Sequence, residues 1–349
     1  MLIEDIVQDV LKKINRLSSP DTSHLVGIDS KIKKIESLLS IGTNDVRSVG
    51  IWGIGGIGKT SLAETVFNKI SPQFEGSCFI YNVREQCEQS NGLHHLQRDL
   101  YSALLGCRNE NIGGTFAVGR PFIKNRLGRK KLLIVFDDVS DYKKIEYLIG
   151  GVDCLSPQSR IILTTRDLQV LQNGGVDQVY EVQQLIDQEA LELFSRYAFR
   201  RNHPIEDYME LSKRVAKYAG GIPLALKVLG SHLHGREKEV WVSAIDKLET
   251  IPPKGIQEVL KISYDGLDYE EKNIFLDIAH FFKWSDIELV KAFIEACGFQ
   301  AGIGIDVLIN KSLITTSDDM ITMHDLLQAM AREIVRQESI DDPGKRSRL

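Results

Sequence analysis

The chain has 349 residues, 43% hydrophobic and 26% charged, with a formal net charge of −5 at pH 7. That length exceeds one ordinary core and implies two or three domains of a soluble globular protein. The acidic balance gives no general reason for a nucleic-acid or anionic-membrane partner, and no apolar run approaches the ~20 residues that cross a bilayer.

Five scattered cysteines without a C-x-x-C pair fit free thiols in a reducing compartment. A cytoplasmic location is therefore expected, with room for a nuclear pool. The opening residues, Met1-Leu2-Ile3-Glu4-Asp5, have neither the basic flank nor the apolar stretch of a secretory leader.

In chain order, Ile3, Ile6, Val7, Val10 and Ile14 recur at helical spacing and predict an amphipathic helix over 3–17. Ser18-Ser19-Pro20-Asp21 breaks it, so residues 1–20 are expected to be a linker helix from a longer chain, with an ordinary N-terminal helix of a complete protein as the alternative. Short apolar runs then alternate with amphipathic helices: Val46–Trp52, Ser77–Val83, Leu132–Phe136, Arg160–Thr164 and Gln178–Val182. Continuous apolar runs suit strands covered on both faces, and strands separated by helices predict a parallel sheet. This α/β domain, with helices on both faces of the sheet, is expected over 21–182.

Strand signals largely stop there. Asp187 can cap a helix carrying Leu191, Phe194 and Ala198, and helices are predicted over 206–219 and 223–233. A small helical domain over 183–253 follows, closed by Ile251-Pro252-Pro253. Ser285-Asp286-Ile287-Glu288 has the form of a capping box, opening a helix that ends at Gly298. Ser312–Thr316 and Met320–Met323, joined by Ser317-Asp318-Asp319, predict a β-hairpin. A last helix follows His324. Helices with a terminal hairpin predict a winged-helix domain over 254–342, with 343–349 as linker.

The strongest chemical signal is Gly53-Ile54-Gly55-Gly56-Ile57-Gly58-Lys59-Thr60, a full match to the phosphate-binding G-x-x-x-x-G-K-S/T. It follows a predicted strand and opens a predicted helix. Glycines let backbone N–H groups curl around phosphate oxygens, and the helix N-terminus adds its positive end. Lys59 is placed for the β- and γ-phosphates, Thr60 for Mg2+, and Ser61 for the α-phosphate. The apolar run ending in Phe136-Asp137-Asp138 reads as a Walker B strand. Asp137 would hold Mg2+ and Asp138 would orient a water. Ser159–Arg166 puts Arg166 at another strand end, where it could sense a γ-phosphate; a solvated surface arginine is the plainer alternative. Val139-Ser140-Asp141 after Asp138 lacks the D-x-x-G switch of GTPases.

Further phrases follow in order: Gly220-Gly221-Ile222-Pro223-Leu224-Ala225, Ile274-Phe275-Leu276-Asp277-Ile278-Ala279-His280-Phe281-Phe282 and Met323-His324-Asp325. With the Walker motifs they closely resemble the nucleotide-binding (NB-ARC) module of plant disease-resistance receptors, in the branch carrying an N-terminal TIR domain. That module belongs to the STAND-class P-loop ATPases. The resemblance covers roughly residues 21–340. Ile222 stands where leucine is usual, and His280 where cysteine is usual.

The resemblance implies a P-loop domain, a helical domain (ARC1) and a winged-helix domain (ARC2) closing on one adenine nucleotide. Backbone near Leu25 and Val26 would meet adenine, Pro223 with its neighbour Leu224 would pack on the base, and His324 would contact the β-phosphate of ADP. Asp325 would orient that region. ADP would hold a closed resting state, and exchange for ATP with Mg2+ would permit opening and self-oligomerisation, with weak ATPase activity at most. TIR and leucine-rich-repeat domains of the same receptor would precede residue 1 and follow residue 349. DNA binding is not expected, since residues 254–349 carry more acidic than basic side chains and Ala301–Ile309 contains no lysine or arginine. A turnover ATPase of the AAA+-like type is the rival, and a scaffold with vestigial nucleotide binding is a third reading.

Overall fold

The computed structural model describes residues 25–105, 125–248 and 254–348. The helix expected over 3–17 and the boundary at Ile251-Pro252-Pro253 lie outside the described residues. The described chain forms two compact units.

The first unit takes in 25–52, the described part of 59–165, and 169–181. Its five strands are β1 (Arg47–Trp52), β2 (Gly76–Ile80), β3 (Leu132–Phe136), β4 (Arg160–Thr165) and β5 (Gln178–Glu181), in the order β2-β3-β4-β1-β5. All pairings are parallel. Trp52 lies opposite Thr165 and Phe136 opposite Leu163, so the carboxyl ends of β1, β3 and β4 emerge at one edge. Every residue of β3 and β4 is buried, as strands covered on both faces require; β3 is wholly apolar, whereas β4 buries Arg160, Thr164 and Thr165 with Ile161, Ile162 and Leu163.

The helices of this unit are α1 (Asp29–Leu39), α2 (Lys59–Ile70), α3 (Val83–Glu88), α4 (Gly92–Leu105) and α5 (Tyr142–Ile149), with α6 (Leu168–Asn173) linking β4 to β5. Helix α5 shows why they form. Asp141 caps it by accepting from the Lys143 N–H at 2.9 Å, Ile145, Leu148 and Ile149 recur on the buried side, and Gly150 closes it at φ 74. The turn after α1 is pinned by Arg160, which is fully buried and donates to the carbonyls of Leu39, Asp45 and Ser40 at 2.6–2.8 Å. Strand β2 ends at Ile80 instead of running to Val83. Asn82 turns left-handed at φ 47, and Val83 opens α3.

The second unit holds Gly53–Gly58, Arg166–Leu168 and the described residues from Val182 on. Four helices come first: α7 (Asp187–Phe199), α8 (Met209–Ala219), α9 (Pro223–Leu233) and α10 (Lys238–Leu248). Their core is aromatic, with Phe199 stacked on Trp241 at 5.3 Å and Phe194 edge-on at 5.8 Å. Asp187 is the first helical residue rather than the cap. Glu189 reaches back to accept from the Ile186 N–H at 3.2 Å.

Next come α11 (Lys254–Asp265), α12 (Tyr269–Asp277), β6 (Ser285–Asp286), α13 (Ile287–Ala296), α14 (Ala301–Asn310), β7 (Thr315–Ser317), β8 (Met320–Thr322) and α15 (Asp325–Glu338). The strands form an antiparallel sheet in the order β6-β8-β7, which is the wing. Its turn, Asp318-Asp319, has φ of 51 and 62, the left-handed pair that suits a tight hairpin. Ser285 is not the cap that the sequence suggests. It pairs with Ile321 in the sheet, and Asp286 caps α13 by accepting from Glu288 and Leu289 N–H groups at 3.0 and 3.1 Å. Helix α12 runs on into a wide π-helical stretch, Ile278–Phe282, where the Gln328 side chain donates to the Ala279 carbonyl at 2.8 Å.

Candidate nucleotide-binding site

In the first unit, α2 begins with Lys59, which is buried, and Thr60. The Thr60 hydroxyl donates to Asp137 Oδ1 at 2.8 Å, so the residues expected to share Mg2+ are in direct contact. The same oxygen accepts from the Thr164 hydroxyl at 2.6 Å. Asp137 is 2% exposed, so its carboxylate depends on these donors instead of water. Among the described residues no cluster of His, Cys, Asp and Glu could hold a metal by itself. Thr60 with a single carboxylate suits Mg2+, which keeps waters and takes further oxygens from phosphate.

Asp138 sits beside this pair in the left-handed region, at φ 54. Its N–H donates to the Thr164 hydroxyl oxygen at 2.9 Å. Its Oδ2 accepts from Arg84 Nε at 3.0 Å and forms an ion pair with Nη2 at the same distance. Backbone reinforces the arrangement, because Val83 and Arg84 N–H groups donate to the carbonyls of Asp137 and Asp138 at 2.8 and 3.1 Å. Neither Arg84 nor Thr164 was singled out from the sequence. Tandem threonines closing a strand beside a Walker B strand were a usable signal for Thr164; nothing local pointed to Arg84. Ser61 is half-buried, and its carbonyl accepts from the Thr65 hydroxyl at 2.7 Å. Leu25 and Val26 lie half-buried ahead of α1.

In the second unit, Gly53, Gly56 and Gly58 have φ of 150, 81 and 99, while Gly55 and Ile57 are buried. These positive φ values are the conformations that glycine allows in a tight loop, and the Ile57 N–H closes a turn on the Ile54 carbonyl at 3.4 Å. The Leu224 N–H donates to the Gly56 carbonyl at 3.2 Å, and a Cβ on Gly56 would meet the Leu224 Cβ at 2.9 Å. Pro223 is the first residue of α9, where its missing N–H costs nothing, and a Cβ on Gly58 would lie 3.9 Å from its ring.

His324 caps α15, with Nδ1 accepting from the Leu326 N–H at 3.1 Å. An accepting Nδ1 leaves Nε2 to carry the ring hydrogen, and Nε2 lies 3.3 Å from the Gly220 carbonyl oxygen. The imidazole thus presents a neutral N–H donor on the side away from its own helix. Gly220 itself is left-handed at φ 54. Arg166 is half-buried just beyond β4, and its neighbour Asp167 pairs with Lys311 at the end of α14 at 2.7 Å.

The sequence matches the NB-ARC domain model over residues 28–204, and the winged-helix domain of Roq1-like disease resistance proteins over 268–339. It is 44% identical over 348 residues to disease resistance protein RUN1 of Vitis rotundifolia, covering 99% of this chain and 26% of that protein. It is 41% identical over 355 residues to TMV resistance protein N of Nicotiana glutinosa, covering 99% of this chain and 30% of the relative. The chain therefore spans between a quarter and a third of the length of these relatives. Among solved structures, a Walker-type ATPase of Pyrococcus abyssi superposes with TM-score 0.59 at 14% identity, over 88% of this chain and 96% of that one, which shows a shared fold. With the phosphate loop, Walker B pair and winged helix in place, and the domain match running over half its length, the chain belongs to the NB-ARC family.

Proposed function

We propose that the chain is the nucleotide-driven switch of a plant intracellular immune receptor, flanked there by TIR and leucine-rich-repeat domains. ADP holds the closed resting state, and exchange for ATP permits opening and self-oligomerisation. The observation that carries this reading is the segment Gly220–Leu224. Its Leu224 N–H is bonded to the phosphate loop at Gly56, and its Gly220 carbonyl faces the Nε2 of His324 from the winged helix. Residues from the phosphate loop, the four-helix region and the winged helix thus meet along a few residues.

In this reading the loop N–H groups and Lys59 bind the phosphates, and Thr60 and Asp137 hold the Mg2+ that accompanies ATP. Leu25, Val26, Pro223 and Leu224 surround the adenine. His324 donates its Nε2 hydrogen to a β-phosphate oxygen, a stronger acceptor than the neutral Gly220 carbonyl. Arg166 engages the γ-phosphate of ATP. Inverting a 1:99 population takes about 5.5 kcal/mol of differential binding. A charge-assisted hydrogen bond supplies roughly 1.5–3 kcal/mol, so two or three such contacts suffice.

Mass spectrometry of nucleotide released on denaturation tests the proposal. Wild type should carry ADP, Lys59→Ala should carry none, and His324→Ala should retain less than wild type. A wild-type protein free of nucleotide, or equal content in all three, overturns it. Steady turnover on the order of 1–10³ s⁻¹, ordinary for an enzyme, would favour a working ATPase instead.

A further inference from the structure

The side chain that would orient a hydrolytic water, Asp138, is already engaged. Arg84 Nε donates to the oxygen Oδ2 at 3.0 Å, and Nη2 of the same guanidinium pairs with that oxygen at 3.0 Å. The pair is partly shielded, with 27% and 15% side-chain exposure. It is also held from the backbone on both sides. The Arg84 N–H donates to the Asp138 carbonyl at 3.1 Å, and the Asp138 N–H is fixed on Thr164 at 2.9 Å. A left-handed φ of 54 on a residue other than glycine is conformational cost that the surroundings must offset. Asparagine and aspartate tolerate that region best, but an aspartate spent only on a turn would not need a guanidinium clamped to its carboxylate.

We propose that Arg84 is a positioning residue that acts as a brake on hydrolysis by drawing the Asp138 carboxylate toward α3. The inference rests on the nucleotide-switch reading and deepens it, since a switch must hold ATP longer than an enzyme does. In the braked step a water oxygen bonds to the γ-phosphorus while the bond from that phosphorus to the β,γ-bridging oxygen breaks. The bridging oxygen leaves on ADP, and the water proton passes to a carboxylate oxygen of Asp138 and on to the released phosphate. With the guanidinium donating from Nε and paired through Nη2 on Oδ2, a water must displace it to take that oxygen. Asp137 is not subject to this brake, because its donors are the hydroxyls of Thr60 and Thr164.

The test is steady-state ATP hydrolysis by the full chain in wild type, Arg84→Gln, Arg84→Lys, Asp138→Asn and the double variant Arg84→Gln/Asp138→Asn. A positioned carboxylate contributes ~10²–10⁴-fold as a general base, so freeing it should raise kcat about tenfold or more in Arg84→Gln. KM for ATP should not move. Arg84→Lys, which keeps the charge without the forked donors, should fall between. The double variant should drop to the level of Asp138→Asn, because the gain runs through that carboxylate. A kcat that falls or stays level in Arg84→Gln overturns the brake, as does a gain that survives in the double variant. If Arg84→Gln does not fold, the same comparison is read from Arg84→Lys. Released nucleotide is measured on each preparation. Wild type without nucleotide sinks the switch reading itself, whereas retained nucleotide with unaltered turnover sinks only the brake.

Discussion

Replacing Gly220 by alanine tests the contact between the GGIPLA phrase and the winged helix. A Cβ built on Gly220 lies 2.2 Å from His324 Nε2 and 2.7 Å from Cε1, far inside contact distance. The backbone there has φ 54, which costs an L-residue about 1–2 kcal/mol. The ring must also move. Moving it forfeits the bond to the Leu326 N–H, a cap worth about 0.5–2 kcal/mol, and the 3.3 Å contact to the Gly220 carbonyl, about 0.5–1.5 kcal/mol. Gly220→Ala should therefore destabilise the protein by roughly 2–5 kcal/mol. In a His324→Ala background no ring is present to strike, and only the backbone cost of about 1–2 kcal/mol should remain. Gly220→Asn separates the two effects, since asparagine accepts the left-handed conformation yet still carries a Cβ. Thermal-unfolding midpoints of the single and double variants give the coupling. An equal drop from Gly220→Ala in both backgrounds would refute the reasoning, because the collision would then contribute nothing.

Two further outcomes are expected. Lys311→Glu or Asp167→Lys should each lower the unfolding midpoint by a small amount, consistent with a pair worth about 0.2–1 kcal/mol, and the double reversal should recover most of it; no recovery would mean that the 2.7 Å pair is incidental. His280 has its pKa pulled down by burial, which outweighs its bond to the Leu276 carbonyl. A lowered folded pKa means that stability is complete above the unfolded value of about 6.5, declines below it and is lost as pH falls through the folded value. Midpoints between pH 7 and 5 should therefore fall more steeply in wild type than in His280→Cys, and parallel curves would count against this.

Local patterns carried much of the fold into the sequence. The run Leu132–Phe136 coincides with β3, since five consecutive apolar residues ahead of two acids admit little else. The phosphate loop was legible because its glycines and lysine act within one turn of chain. Features set by distant partners were not legible. Arg84 meets Asp138 across 54 positions and Thr164 meets Asp137 across 27, and no periodicity records such pairings. The cap of α13 moved from Ser285 to Asp286 because β8 recruits Ser285 as a strand residue, a tertiary preference that overrides the local motif. Pro223 after two glycines could have been read as one helix closing and the next opening, with Gly220 and Gly221 left-handed at φ 54 and 68. The bond from the Leu224 N–H to the Gly56 carbonyl was not legible, because it joins segments far apart in the chain.

The π-helical stretch Ile278–Phe282 carries one more residue in its turn than an α-helix would. Deleting a single residue here would leave an ordinary α-helical turn and close the widened opening in which the Ala279 carbonyl accepts from the Gln328 side chain. Immediately downstream, the Trp284 N–H bonds to the Ile321 carbonyl of β8, three positions before His324. A gap of one residue in this stretch would therefore pull on the strand that leads to the histidine.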